Sequence, residues 1–196
     1  MNRPYASASE QNKQVIYDAI ESYLAGDVLE IGSGSGQHAV FFAAHKPELI
    51  WQTSDLAENL PGIELWIESS SLGNLPPPIE LDVLSTWPPH HYDFICTANT
   101  LHIMDREMVA QCIHGVGECL VPGGVFAVYG PFNYGGEHTS PSNAQFDQYL
   151  KARDPVSGIK DFEWLNELAE CAGMYLIEDI EMPANNRTLI WQNRTL

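Results

Sequence analysis

The residues with the clearest chemical potential are Glu30, Gly32, Gly34 and Gly36, which close a short β-type run in the segment DVLEIGSGSG, Asp27 to Gly36. Closely spaced glycines at a strand end leave backbone amides bare at the start of a helix, where a nucleotide-type ligand can approach them. The spacing narrows the choice of ligand. Gln37 stands where the third glycine of a dinucleotide-binding GxGxxG turn would fall, which counts against NAD. Glu30 points the same way: a carboxylate at the strand end repels a pyrophosphate and attracts an ammonium group, such as that of a methionine moiety.

Two more acids extend the row. Asp55 ends the second β-type run, where a carboxylate can accept from ribose hydroxyls, and Asp82 ends the third, where it can accept from the exocyclic amine of adenine. One such acid is usually a solvated cap; three at successive strand ends place a set of acceptors on one edge. His102, just after the fourth run, is the candidate base for an acceptor that must lose a proton, and the alternative for it is a helix-capping or core histidine. Tyr134, Glu137, His138 and Asp147 are further candidates of the same kind. His90, His91 and His102 lack metal-ligand spacing, so no metal is expected.

The elements that must position these groups alternate. Ser7 and Glu10 read as a capping box, followed by Val15, Ile16, Ala19, Ile20, Tyr23 and Leu24 at helical spacing until Gly26. Strands are expected over 27–31, 49–54, 79–83, 92–98 and 125–129, with helices over 38–45 and 61–72 and another that Asp105 caps. Such alternation means right-handed crossovers and a largely parallel sheet covered on both faces, with ligands beyond the carboxyl ends of the strands. The last two β-type runs, 175–182 and 187–192, are joined by four residues, too few for a crossover helix, so an antiparallel hairpin closes the sheet. Residues 132–160, rich in turn residues around one helical piece at 142–151, form a connection longer than plain wiring requires.

The 196 residues suit one domain, and a net charge of -17 opposes partners that are bound by neutralising phosphates. Nucleic acid and anionic membrane are therefore not expected as partners; a small-molecule substrate is. Cys96, Cys112, Cys119 and Cys171 lie in apolar runs without CxxC pairing, which suits buried thiols in a reducing compartment. No segment has signal-peptide or membrane-span character, and a cytoplasmic location is expected.

With the glycine turn, the three acids and the closing hairpin together, the chain resembles class I S-adenosylmethionine-dependent methyltransferases. The resemblance implies an α/β Rossmann-like fold with a seven-stranded, mostly parallel sheet and helices on both faces. It also implies S-adenosylmethionine as cofactor and S-adenosylhomocysteine as product. By the same resemblance Glu30, Gly32, Gly34 and Gly36 surround the methionine part, Asp55 meets the ribose, Asp82 with Val83 the adenine, and Asn99 lies near the sulfonium. A narrower likeness, to the methyltransferase-like protein 26 family, is carried by EQNK at 10–13, SGSGQH at 33–38, YGPF at 129–132, SNAQFD at 142–147, RDP at 153–155 and MPANN at 182–186. The opening segment 1–26, with Tyr5, Asn12 and Lys13, and the insertion 132–160, with Phe132 and His138, are expected to close over the cofactor as a lid and form the acceptor pocket. Two other functions compete: cofactor binding without turnover, and an NAD-dependent oxidoreductase, which Glu30 and Gln37 disfavour.

Overall fold

The β-type runs, rich in Val, Ile, Phe and Trp, assemble into one seven-stranded sheet in the computed structural model, which describes residues 3–194. The strands are β1 (Asp27–Ile31), β2 (Ile50–Asp55), β3 (Ile79–Glu80), β4 (Tyr92–Ala98), β5 (Leu120–Gly130), β9 (Met174–Met182) and β10 (Asn186–Asn193), in the order β3-β2-β1-β4-β5-β10-β9. Neighbours from β3 to β5 are parallel, and β10 runs antiparallel to both β5 and β9. This is the Rossmann-like sheet with its terminal hairpin. The hairpin turns tightly at Pro183–Asn185, where Ala184 and Asn185 both take φ of 59°.

Successive strand residues point to opposite faces and feed two cores. Val28, Phe94, Ala127 and Ile190 pack under α1 (Ser7–Ile20), which precedes β1, and α2 (Gln37–His45), which follows it; α3 (Leu60–Ser70) follows β2. Leu29, Ile95, Phe126, Leu189 and Trp191 pack under α4 (Arg106–Cys119) and α6 (Phe162–Cys171). Asp105 caps α4 by accepting from the Met108 amide at 2.7 Å. The insertion holds α5 (Pro141–Arg153) and a second sheet in which β6 (Phe132–Tyr134) pairs with β7 (Glu137–His138) and β8 (Lys160–Asp161). Its two ends are thus fastened together.

Several local expectations are corrected. Ser7 is the first helical residue and not a cap: Ala6 takes the N-cap position, and its amide donates to Gln37 Oε1 at 2.6 Å, a long-range contact that replaces the local box. The third strand stops at Glu80. Its start at Ile79, after Pro76, Pro77 and Pro78, is as expected; its end is earlier because Asp82 folds into a turn by accepting from the Leu84 amide at 3.0 Å. The fifth strand begins directly after α4 at Leu120, but residues 121–124 still bulge out of the ladder: pairing jumps from Tyr92–Leu120 to Phe94–Val125, and Gly123 takes φ of 79°. Helix α6 was not expected, although Leu165, Leu168 and Ala169 carry its apolar face. Cys96, Cys112 and Cys119 are buried, but Cys171 is exposed at the end of α6.

Candidate functional site

A cavity of about 730 Å³ opens beyond the carboxyl ends of β1, β2, β4 and β5, the position that the sheet topology dictates. Its floor is the turn after β1. Gly32 and Gly34 have φ of 67° and 59°, the left-handed region that only glycine enters without strain. They differ in surroundings. A Cβ on Gly32 would meet Thr100 Cγ2 at 2.8 Å, whereas one on Gly34 would meet nothing within 4 Å and would project into open space. Gly32 is required by the fold, and Gly34 leaves the cradle open.

Asp55, 8% exposed, fixes this cradle. Its Oδ2 accepts from the Gly34 amide at 2.7 Å, while Oδ1 accepts from the Leu56 amide and from Asn59 Nδ2, each at 2.8 Å. A carboxylate has about four acceptor sites, so capacity remains for a ligand hydroxyl. Asn59, which also lines the cavity, was not singled out from the sequence.

Glu30 is placed differently from the expectation. It lies 3% exposed beneath the turn, outside the cavity wall, beside a small void bordered by Cys96, Tyr129 and Thr188. Burial raises its carboxyl to about 7, against the opposing pull of Trp51 Nε1, which donates to Oε2 at 3.3 Å. Glu30 therefore supports the turn from below.

Among the other expected residues, Asn12, Asn99 and His102 line the cavity together with Gly32, Gly34 and Asp55. Asn99 takes φ of 58°, and its amide donates to the Tyr129 carbonyl at 2.9 Å, which ties the ends of β4 and β5. The His102 ring meets Phe146 edge-on with centroids 5.2 Å apart. Burial, assisted by the charge of Lys160, lowers its pKa to about 4. Lys160 is itself buried and donates to the carbonyls of Met104 and Gly158 at 2.7 and 2.9 Å.

The remaining expected residues lie outside the cavity wall. Gly36 caps α2, Asp82 closes its own turn, and Val83 is buried in the core. Tyr5 is 65% exposed, Lys13 pairs with Glu10, and Phe132 packs into the core under the insertion. Tyr134 donates to Asp179 Oδ2 at 2.8 Å, and its hydroxyl pKa is raised mainly by burial. His138 is held by Asn133 Oδ1 at 2.8 Å. The insertion thus offers the cavity only Phe146 among the described residues.

Sequence reading missed His38, Tyr129, Phe146 and Asn186 as wall residues. His38 Nε2 is 2.7 Å from Asn12 Oδ1, and Asn186 Nδ2 donates to the Tyr129 hydroxyl at 3.0 Å. The signal was present: Asn12, His38, Tyr129 and Asn186 belong to four of the quoted family-like stretches, which meet only in the fold. Burial lowers the pKa of His38 to about 4.

The sheet order, the left-handed glycine turn and the acid at the β2 end define the Rossmann-like architecture of class I methyltransferases. The chain belongs to the family described as Protein of unknown function (DUF938), whose model matches residues 3–193. Among solved structures it is similar to an O-methyltransferase family protein from Burkholderia thailandensis, with 17% identity over 96% of this chain and 57% of that one, at a TM-score of 0.86. It is also similar to the mitomycin 7-O-methyltransferase, with 16% identity, 95% and 54% coverage and a TM-score of 0.82. Human N-acetylserotonin methyltransferase, solved in complex with SAM, matches at 15% identity with 96% and 53% coverage and a TM-score of 0.81. At these identities the likeness is one of fold. The chain spans little more than half the length of these structures.

Proposed function

We propose that the protein is an S-adenosylmethionine-dependent methyltransferase acting on a small-molecule acceptor. One observation carries this reading: an open glycine cradle at Gly34, with its amide tied to the Asp55 carboxylate, forms the floor of a cavity large enough for a nucleoside and an amino acid. The cradle fits the cofactor. The bare turn Gly32–Ser35 would hold the methionine part and Asp55 the ribose, with Asn99 near the reacting end. Asp82 and Val83 lie off the cavity wall, so Asn59 is the residue that joins Asp55 at the nucleoside end in this proposal.

The cofactor, when bound, supplies an electrophilic methyl group on sulfur. The chain's own task is then to hold the acceptor atom in line behind that methyl group and to keep water out. The wall of Asn12, His38, Tyr129 and Phe146 does the holding. His102 and His38 are both neutral at neutral pH, the state in which an imidazole can take a proton from a hydroxyl acceptor. The likeness to the methyltransferase-like protein 26 family, a cytoplasmic setting for the buried thiols, and the exclusion of nucleic acid on grounds of charge all belong to this proposal.

A second reading, cofactor binding without turnover, draws on the same histidines, since a pKa of about 4 makes a weak base. Two measurements test and separate the readings. Calorimetric titration should give one site for S-adenosylhomocysteine and none for NADH; the reverse result would mean an oxidoreductase. Conversion of S-adenosylmethionine to S-adenosylhomocysteine over an acceptor library should follow, and cofactor binding without any turnover would favour the second reading.

A further inference from the structure

We propose that the acceptor half of the cavity is built for an uncharged molecule with an amide-type edge, and that Tyr129, held by Asn186, is the residue that selects it. This rests on the methyltransferase reading above and concerns the wall facing away from Asp55.

Charge comes first. Of the described side chains lining the cavity, Asp55 alone carries a formal charge at neutral pH, and it lies at the β2 end of the sheet, bonded to the glycine turn and Asn59 and proposed above to meet the ribose. Both lining histidines are kept neutral by burial. Neighbouring cations are already engaged: Lys160 with two carbonyls, Lys13 with Glu10, and Arg187 with Asp179 and Glu181. A carboxylate or phosphate would therefore lose its hydration without gaining a counter-charge, inside a chain of net charge -17. A cation would meet no carboxylate in this half and would pay the same desolvation cost.

Hydrogen-bonding geometry then narrows the class. Asn186 spends its amide nitrogen on the Tyr129 hydroxyl at 3.0 Å and the Pro183 carbonyl at 3.2 Å, which leaves Oδ1 as an acceptor. Asn12 Oδ1 faces His38 Nε2 at 2.7 Å, which leaves its amide nitrogen as a further donor on the same wall. With the Asn186 amide donating to the Tyr129 oxygen, the Tyr129 O–H proton is free to donate. A donor on Tyr129 and an acceptor on Asn186 thus stand side by side, matching the C=O and N–H of a carboxamide, lactam or heterocyclic amide. Phe146 and Ile103 at the mouth supply an apolar surface for the rest of the molecule.

Three planar probes of nearly equal size, benzamide, benzoate and benzamidine, differ mainly in charge and hydrogen-bonding edge. Each is titrated at pH 7.5 onto protein saturated with S-adenosylhomocysteine and followed by amide NMR shifts. Benzamide should bind at least about tenfold more tightly than either charged probe. Tyr129→Phe should weaken benzamide about tenfold and leave S-adenosylhomocysteine affinity unchanged. Ile103→Lys, at a half-exposed rim position, should raise benzoate affinity by a similar factor. Equal or tighter binding of benzoate or benzamidine to the natural protein overturns the inference, as does benzamide binding that is indifferent to Tyr129→Phe or the failure of all three probes to bind. If S-adenosylhomocysteine itself does not bind, the methyltransferase reading falls first and this inference with it.

Discussion

Glu30 holds a carboxyl group where ionisation is costly, buried under the glycine turn with the Asp55 charge adding to the cost. Its pKa is about 7 when folded, against 4.5 for an ordinary glutamate. Between these values the folded protein keeps a proton that the unfolded chain has released. The stabilising contribution is therefore complete below about pH 4.5 and is lost as pH rises through 7, a swing of at most roughly 3 kcal/mol. His38 and His102, lowered to about 4, act in the opposite sense and lose stability as pH falls from 6.5. Comparing Glu30→Gln with the natural protein isolates the Glu30 share: urea unfolding should show the variant gaining relative stability from pH 4.5 to 7.5, and parallel profiles would contradict this. The two glycines make a matched pair. Gly32→Ala, which clashes with Thr100, should lower Tm by a loss of about 1–3 kcal/mol. Gly34→Ala meets no protein atom, so it should cost only about 1 kcal/mol while sharply weakening S-adenosylhomocysteine binding in calorimetry. Asp55 was legible in the sequence because a strand end fixes where its side chain can go. Glu30 was half legible: its position was right, but burial beneath the turn depends on Trp51, a strand away.

At the scale of elements, the opening segment works as a strap. The Pro4 carbonyl accepts from Trp66 Nε1 at 2.6 Å, the Arg3 guanidinium lies 3.8 Å from the centre of the Trp66 ring, and Ala6 bonds to Gln37. The strap and the start of α1 border the cavity, so saturating S-adenosylhomocysteine should slow proteolysis between Ala6 and Asn12; equal cleavage rates would contradict the assignment. The insertion is organised around Asp147, 4% exposed, which accepts from the Ile159 amide at 2.8 Å and from Lys151 Nζ at 2.6 Å. Asp147→Ala leaves the buried Ile159 amide without a partner and should cost about 1–3 kcal/mol in thermal unfolding. Strands β1 and β4 were legible to the residue, because continuous apolar runs are bounded by clear turn residues. The β6-β7-β8 sheet was not, since strands of two or three residues carry no periodicity and exist only through pairing across the insertion.

At the scale of the molecule, no helix among the described residues is long and apolar enough to cross a membrane, the net charge is -17, and no Lys or Arg is among the described residues that line the cavity. The parallel sheet was readable from the alternation of strands and helices, and its closing hairpin from the four-residue connection at 183–186. The acceptor wall was not, because Asn12, His38, Tyr129 and Asn186 reach it from α1, α2, β5 and β10, which only tertiary packing brings together. The central claim is that the floor at Gly34 and Asp55 holds S-adenosylmethionine. Calorimetric titration of S-adenosylhomocysteine onto the natural protein and onto Asp55→Ala, with melting curves to confirm that both are folded, tests it most directly. The expected result is one site on the natural protein and at least about a hundredfold weaker binding on the variant, a loss of roughly 3 kcal/mol. No binding to the natural protein, or equal affinity for the two, would contradict the claim.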